Sequence, residues 1–360
     1  MRQESASLLC ELSNLDGPSG YETAVSTFVA EQLRDIGAVS YDNLGSLICE
    51  LQGSAAGPRV MLAGHVDEIG FVVNQVTEQG YLKISPLGGW WDQVLLAQTM
   101  RVLTQKGSLL GLVASKPPHL LLEEERNKVV RKSDMHLDIG ARDKAQAMTE
   151  LGVRPGDPIV PVCQCTPMAN ADMLMGKAWD DRVGVAIVIE TLQQLCGTDH
   201  PNTVFGVGTV QEEVGLRGAQ TAVQAISPDV ALVLETAICG DVPGIKDEEA
   251  QVKLGGGPTV YVLEGSAIPN LKLRDLAIAT CEQLGYECQF SVLERGGTDA
   301  GRIHVHACGV PSLVIGVPTR HIHSHAGIIE LNDYQQTLAL TVELVRKLDA
   351  ATVASLRPQQ

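Results

Sequence analysis

The run Arg59-Val60-Met61-Leu62-Ala63-Gly64-His65-Val66-Asp67-Glu68 decides the fold. Arg59–Ala63 is a compact apolar segment of strand length that stops abruptly at a glycine, followed by a histidine and two acids. In open α/β sheets, ligands and catalytic groups gather at the carboxyl ends of the strands. His65 and Asp67 stand at such a place. Two residues apart in extended backbone, they point the same way, so Asp67 can orient His65 or ligate beside it.

Upstream, Met1 to Ala38 reads as two helices split by the turn cluster Asp16-Gly17-Pro18-Ser19-Gly20. The second helix carries Val25, Phe28, Val29, Leu33 and Ile36 at helical spacing. A strand follows at Ser46–Leu51. Downstream, residues 69–166 change texture. Short β-like runs recur at Phe71–Val76, Tyr81–Ser85, Thr99–Leu103 and Leu109–Val113, many separated by Gly or Pro, as in a small barrel or sandwich. One short helix is expected over Asp143–Leu151, stopped by Gly152. After Asp172, helices and strands alternate. The helices are Asp180–Leu195, Gly218–Ile226, Asn270–Leu284 and Asp333–Asp349. The strands are Thr203–Thr209, Asp229–Leu234, Glu287–Val292 and Ser312–Val317. Alternation of this kind means an α/β sheet. The expected architecture is therefore an α/β domain built from residues 1–68 and 167–360, interrupted by a β-rich insert over 69–166.

The 360 residues are 44% hydrophobic and 19% charged, enough apolar material for a sizeable core and too little charge for disorder. A formal net charge of −16 repels phosphate backbones and anionic lipid, so neither nucleic acid nor a membrane is the expected partner. The first residues lack the apolar region of a secretory signal, and no stretch is long enough to span a membrane. The nine cysteines are an odd number in a long chain, and are expected to be reduced core thiols in a cytoplasmic protein. The close pair Cys163 and Cys165 is expected on one face of a strand. Glu123-Glu124-Glu125-Arg126 and the basic cluster up to Lys132 read as solvated surface.

Several standard sites are missing: the His-Glu-x-x-His helix, the Gly-x-Ser-x-Gly elbow, the P-loop and the dinucleotide fingerprint. What remains is a set of acids and histidines near the ends of expected strands. Besides His65 and Asp67 these are Asp180 and Asp181, Glu212 and Glu213, Glu235, and the alternating His321, His323 and His325. Alone, an Asp-Asp pair before a helix is an N-cap, a Glu-Glu pair is surface and a histidine is structural. Together they supply imidazoles and at least three carboxylates, an inventory suited to two divalent ions sharing a bridging carboxylate.

These residues sit in motifs that resemble the glutamyl or deblocking aminopeptidases, dinuclear metallo-enzymes whose best-known members form tetrahedral twelve-subunit particles and some of which carry an endoglucanase or cellulase label. The resemblance runs through Pro18-Ser19-Gly20-Tyr21-Glu22, Gly64-His65-Val66-Asp67-Glu68-Ile69-Gly70, Ser115-Lys116-Pro117-Pro118-His119 and Asp138-Ile139-Gly140-Ala141. It continues through Trp179-Asp180-Asp181-Arg182-Val183-Gly184, Gln211-Glu212-Glu213-Val214-Gly215, Gly296-Gly297-Thr298-Asp299-Ala300 and Pro318-Thr319-Arg320 ahead of Ile322-His323-Ser324.

The resemblance implies a mixed-sheet zinc-aminopeptidase-type catalytic domain with an inserted barrel or PDZ-like dimerisation domain. It implies that His65, Asp180 and Glu235 hold one ion, and that Asp180, Glu213 and His323 hold the other. Zn or Co, with Mn as a further candidate, suits such ligands. Glu212 is the implied general base and Asp67 the partner of His65. The implied partners are peptides with a free N-terminus and further copies of the chain, as a dimer or a dodecamer. The chain departs from the family in having His321 where Tyr is frequent and Glu235 where Asp is frequent. Rival readings are a related dinuclear-metal deacylase or carboxypeptidase and, more remotely, a glycoside hydrolase. The last needs two carboxyl groups flanking a sugar and no metal pair. Arg295, Arg302 and Arg320 lie near the site motifs and bear on any preference for acidic substrates.

Overall fold

A computed structural model of the chain describes residues 2–53 and 57–357; Met1, at the start of the first expected helix, lies outside them. The chain opens with α1 (Arg2–Asn14) and α2 (Thr23–Leu33), then β1 (Ala38–Tyr41), β2 (Leu47–Leu51) and β3 (Arg59–His65). Next come β4 (Gly70–Val76), β5 (Leu82–Leu87), β6 (Thr99–Thr104), β7 (Gly107–Val113), the one-turn α3 (Glu123–Arg126), β8 (His136–Asp138) and β9 (Pro158–Pro161). The remainder is β10 (Thr166–Pro167), β11 (Met173–Gly176), α4 (Trp179–Leu195), β12 (Thr203–Thr209), α5 (Arg217–Ile226), β13 (Val230–Ile238), β14 (Thr259–Glu264), α6 (Leu271–Leu284), β15 (Gln289–Leu293), α7 (Ala300–Ile303), β16 (Ser312–Arg320), β17 (Gly327–Glu330), α8 (Leu331–Lys347) and α9 (Ala350–Leu356).

The principal sheet runs β1-β2-β12-β3-β13-β16-β17-β11-β10, with β14 branching from β16 and β15 pairing β14. Its centre, β12-β3-β13-β16, is parallel, the strands that flank it on either side join antiparallel, and β15 pairs with β14 in parallel. Side chains alternate across a strand, so β3 serves two cores. Val60 and Leu62 pack with α1, α2, α4 and α8, whereas Met61 and Ala63 pack with the α5 and α7 residues Ala222, Val223 and Ile303. A parallel strand covered on both faces reads as a continuous apolar run, which is why Arg59–His65 looked as it did.

α4 lies between the sheet and α1 and α8, and Val183 through Ile189 are all buried. Glycines set its distance from the sheet. A Cβ on Gly184 would lie 2.4 Å from the carbonyl oxygen of Leu234, and one on Gly64 would lie 2.7 Å from the carbonyl carbon of Gly184. That close approach carries the start of α4 onto the end of β3.

Strands β4-β5-β8-β7-β6-β9 close into an antiparallel barrel around Phe71, Val73, Leu82, Met100, Val102 and Leu137. Phe71 stacks on Trp90 with ring centroids 5.1 Å apart. A buried ionic network joins barrel to sheet. Asp16 meets Arg101 of β6 at 2.7 Å and Lys177 at 3.2 Å, and Glu68 takes Lys177 at 2.5 Å, with Arg182 at 3.6 Å.

Some expectations need correction. Cys10 and Cys165 form a disulfide between α1 and the segment leading into β10, so the cysteines are not all reduced; the other seven are free. Cys163 and Cys165 lie between β9 and β10, not on a strand. The short helix expected over Asp143–Leu151 is present over residues 144–150, but most of it, Gln146–Glu150, is a π-helical turn. The expected closing helix is α8, and a further helix follows it: Asp349 caps α9 by accepting from the N–H of Thr352 at 2.7 Å. No helix among the described residues is long and apolar enough to cross a membrane.

Candidate metal centre

The register of the sheet places the site. Thr209 of β12 lies opposite His65 of β3, and β3 pairs with β13 only as far as Ala63 and Val233. Beyond that point the two strands no longer pair, and His65 and Glu235 lie on either side of the opening. Ligand sites form where neighbouring parallel strands part in this way.

α4 divides the work of its two aspartates. Asp180 and Asp181 have non-helical backbone, and the peptide between them is cis. Asp181 is the cap: its Oδ1 accepts from Gly184 N–H at 3.0 Å, and its Oδ2 accepts from His65 N–H at 3.0 Å. Asp180 is thereby turned into the opening. Its Oδ1 lies 3.0 Å from His65 Nε2 and its Oδ2 3.2 Å from His323 Nε2. One carboxylate thus offers one oxygen to each imidazole. The expected helix start at Asp180 is corrected accordingly, because regular helix begins after this pair.

The remaining groups arrive from separate elements. Glu235 Oε2 lies 3.9 Å from His65 Nε2, and Glu213 Oε1 lies 3.5 Å from His323 Nε2. Two sets have ligand atoms all within 4.8 Å of one another: His65, Asp180 and Glu235, and Asp180, Glu213 and His323. Neither includes His321. His325 turns away and meets the carbonyl of Val162 at 3.0 Å. Glu212 Oε2 is 4.0 Å from His65 Nε2, beside both sets.

Asp67 does more than face His65. Its Oδ1 is 3.5 Å from His65 Nδ1, which also lies 3.0 Å from the Asp67 carbonyl. Its carboxylate further accepts Glu212 N–H at 2.9 Å, Glu213 N–H at 3.2 Å and Ser19 Oγ–H at 2.6 Å. Ser19 belongs to the turn between the first helices, whose motif gave no hint of a role. His323 Nδ1 is 2.8 Å from the carbonyl of Gly89, supplied by the barrel. A backbone carbonyl leaves no trace in a sequence. Glu22 is a second contribution that sequence reasoning missed: its Oε1 accepts from Gln211 N–H at 3.1 Å, just ahead of Glu212.

The electrostatics ask for cations. His65, Asp67, Glu212 and Glu235 are buried. Burial pushes Glu213 up to about 8, with Asp180 adding to the effect, and it raises Glu212 and Glu235 well above the carboxylate range. His323 is pushed up to about 10, the nearby Asp180 and Glu213 outweighing its burial. Asp180 is held below the usual range despite its burial, because both histidines hydrogen-bond it. The cluster's described ion pairs are to histidine; no lysine or arginine pairs with Asp180, Glu212, Glu213 or Glu235 among the described residues. Glu213 Oε1 is buried without a hydrogen-bond donor. Buried carboxylates without a cation must take up protons, and hard oxygens with imidazoles are the donors that divalent metals prefer. The residues fit a metal centre. A cavity of about 880 Å³ opens over them, lined also by Tyr261, Leu293 and Thr298.

The chain is similar to known proteins over most of its length. The family model for M42 glutamyl aminopeptidase matches residues 45–340. The glutamyl aminopeptidase of Lactococcus lactis is 31% identical over 96% of this chain and 97% of its own. The lysyl aminopeptidase of Pyrococcus furiosus is 32% identical over 95% and 96%. The solved structure of a TET aminopeptidase from the marine sediment archaeon Thaumarchaeota archaeon SCGC AB-539-E09 superposes with a TM-score of 0.95 at 46% identity, covering 99% of each chain. The Pyrococcus horikoshii TET1 peptidase, which can assemble into a tetrahedron or a large octahedral shell, superposes at 0.86 with 30% identity, over 97% of this chain and 100% of its own. The chain belongs to the M42 glutamyl aminopeptidase family and is a peptide hydrolase.

Proposed function

We propose that this chain is a two-metal aminopeptidase that releases N-terminal residues from peptides. The observation that carries the reading is Asp180, with one carboxylate oxygen toward His65 and the other toward His323. Were cations bound, Asp180 would be shared between two of them, with His65 and Glu235 completing one set of ligands and Glu213 and His323 the other. When bound, the cations supply Lewis acidity, polarising the scissile carbonyl and lowering the pKa of water. Zn, Co or Mn fits the donors.

The chain's own groups do the rest. Glu212 accepts the proton of the attacking water and returns it to the leaving amine. Asp67 fixes the backbone of Glu212 and Glu213 while orienting His65. The acidic lining of the cavity favours the substrate's ammonium terminus over a neutral, acylated one, which supports the aminopeptidase over the deacylase and carboxypeptidase. The partnership of carboxylates with imidazoles argues against a glycoside hydrolase.

Residues 69–166 are proposed as a dimerisation unit on the catalytic domain of residues 1–68 and 167–360. The exposed barrel residues Leu110 and Leu112, with Leu120 and Leu122 beyond them, support this. A homo-oligomer in the cytoplasm, dimeric or dodecameric, is the assembly proposed. Arg320 is held by Asp241, its Nε 2.9 Å from Oδ1, so it serves structure and not substrate choice. The test is hydrolysis of aminoacyl p-nitroanilides by metal-loaded protein, which a chelated sample should lack.

A further inference from the structure

An exopeptidase that holds the substrate's amine among buried acids must let the rest of the peptide leave by an open side. The catalytic cavity shares Ile238, Leu293, Glu294 and Arg295 with a second groove of about 660 Å³. This groove runs between residues 248–252 and strand β15. β15 pairs only with β14 among the described strands, so its other edge has no strand partner there.

The edge is unusual in composition. Phe290 is 46% exposed and Val292 is 55% exposed, alternate residues of one strand and therefore on one face. Proteins ordinarily blunt an open edge with lysine, proline or a covering loop. Here the first residue is covered: Gln289 takes Lys253 N–H at 2.8 Å and gives its amide to the carbonyls of Lys253 and Gly257. Phe290 and Val292 stay exposed beside the cavity, while Ser291 between them is buried and Leu293 is half-buried. Arg295, at the junction of the two spaces, has neither an ion pair nor a hydrogen bond among the described interactions.

We infer that the β15 groove binds the part of the peptide substrate beyond the scissile bond, in extended form along the strand edge, with apolar side chains against Phe290 and Val292. The inference rests on the aminopeptidase reading. Its physical content is strand addition: main-chain hydrogen bonds give affinity regardless of sequence, and alternate side chains meet the apolar face. The occupant is argued from the shared wall, since a chain leaving the cavity past Leu293 enters the groove directly. The class of substrate is an unfolded, apolar peptide of several residues. A folded N-terminus could not lie along the edge.

Two measurements test it on the metal-loaded, full-length protein. In the first, kcat and KM are determined for an aminoacyl p-nitroanilide and for an octapeptide with the same N-terminal residue and leucine at alternate later positions. Phe290→Ser with Val292→Ser should leave p-nitroanilide turnover within about twofold and raise the octapeptide KM about tenfold at unchanged kcat. Methylating alternate backbone nitrogens of the octapeptide, beyond its first two residues, should raise KM similarly in the parent protein. An octapeptide KM that neither change moves would overturn the proposal. In the second, fluorescence anisotropy follows binding of the octapeptide labelled at its C-terminus. Binding that the double variant weakens, in a protein that cleaves no substrate, would keep the groove and remove the aminopeptidase reading. A double variant that changes the molecular mass in solution would assign the groove to a second copy of the chain and overturn the proposal.

Discussion

The carboxylate of Asp67 accepts the backbone N–H of Glu212 at 2.9 Å on one oxygen, and Glu213 N–H and the Ser19 hydroxyl on the other. One buried side chain thus positions the proposed base, a proposed ligand and, through Nδ1, His65. Asp67→Asn keeps the volume but replaces one acceptor oxygen with a donor that must face an N–H or hydroxyl. Activity should fall by about 10–100-fold, as for other groups that orient metal ligands, while the thermal midpoint stays high enough to show a folded protein. Unchanged kcat/KM would remove Asp67 from this role.

Glu212 and Glu213 are neighbours with different proposed tasks. Glu212→Gln should retain metal by elemental analysis and lose about 10²-fold or more in kcat. Glu213→Gln should lose metal. The reverse pattern would exchange the two assignments.

Metal binding should release protons. In the metal-free chain Glu213 holds a proton up to about pH 8 and His323 up to about pH 10. A ligand must be an ionised carboxylate or a neutral imidazole, so the metal-free state carries more protons than the bound state. Affinity therefore rises with pH, most steeply below about pH 8, and less steeply once Glu213 has ionised and only His323 still holds its proton. Calorimetric titration at pH 7 in two buffers of different ionisation heat should report net proton release. No release, or uptake, would contradict the proposed ligands.

Much of this was legible in the sequence because parallel strands buried on both faces advertise themselves. Thr203–Thr209 matches β12 to the residue, Arg59–Ala63 and Ser312–Val317 start with β3 and β16 but stop two and three residues short, and the acids near their ends led to the cluster. Short flanking strands such as Met173–Gly176 and Gly327–Glu330 carry only a few residues of pattern and were not read. Nor was Thr259–Glu264, whose partner β15 joins the sheet only through it. The cysteine expectation failed because α1 and Cys165 meet only in the fold, 155 residues apart. Gly89 escaped notice because its contribution is a carbonyl, and Ser19 because one hydroxyl in a turn has no periodicity.

The close approach of α4 to β3 offers a test of the scaffold apart from the chemistry. A methyl group at Gly184 would meet the Leu234 carbonyl and both oxygens of Asp181, none of which is a flexible side-chain end free to move. Gly184→Ala should cost about 1–3 kcal/mol or more and lower the thermal midpoint. A midpoint equal to that of the parent would show that the helix can retreat without consequence.

Light scattering at micromolar concentration, with metal present, should give a mass well above that of a 38.4 kDa monomer. A monomer under these conditions would remove the dimerisation role proposed for residues 69–166.

The central claim is that two cations and a free amine define this site. The most direct measurement is hydrolysis of an unblocked aminoacyl p-nitroanilide and its N-acetyl twin by chelated and by metal-reloaded protein, with metal counted in each sample. A site built for a charged amine leaves buried acceptors unpaired when that amine is acylated. No activity is expected without metal, with recovery at about two ions per chain, and cleavage of the acetylated substrate slower by on the order of 10³-fold. Full activity in metal-free protein, or equal rates on the two substrates, would contradict it.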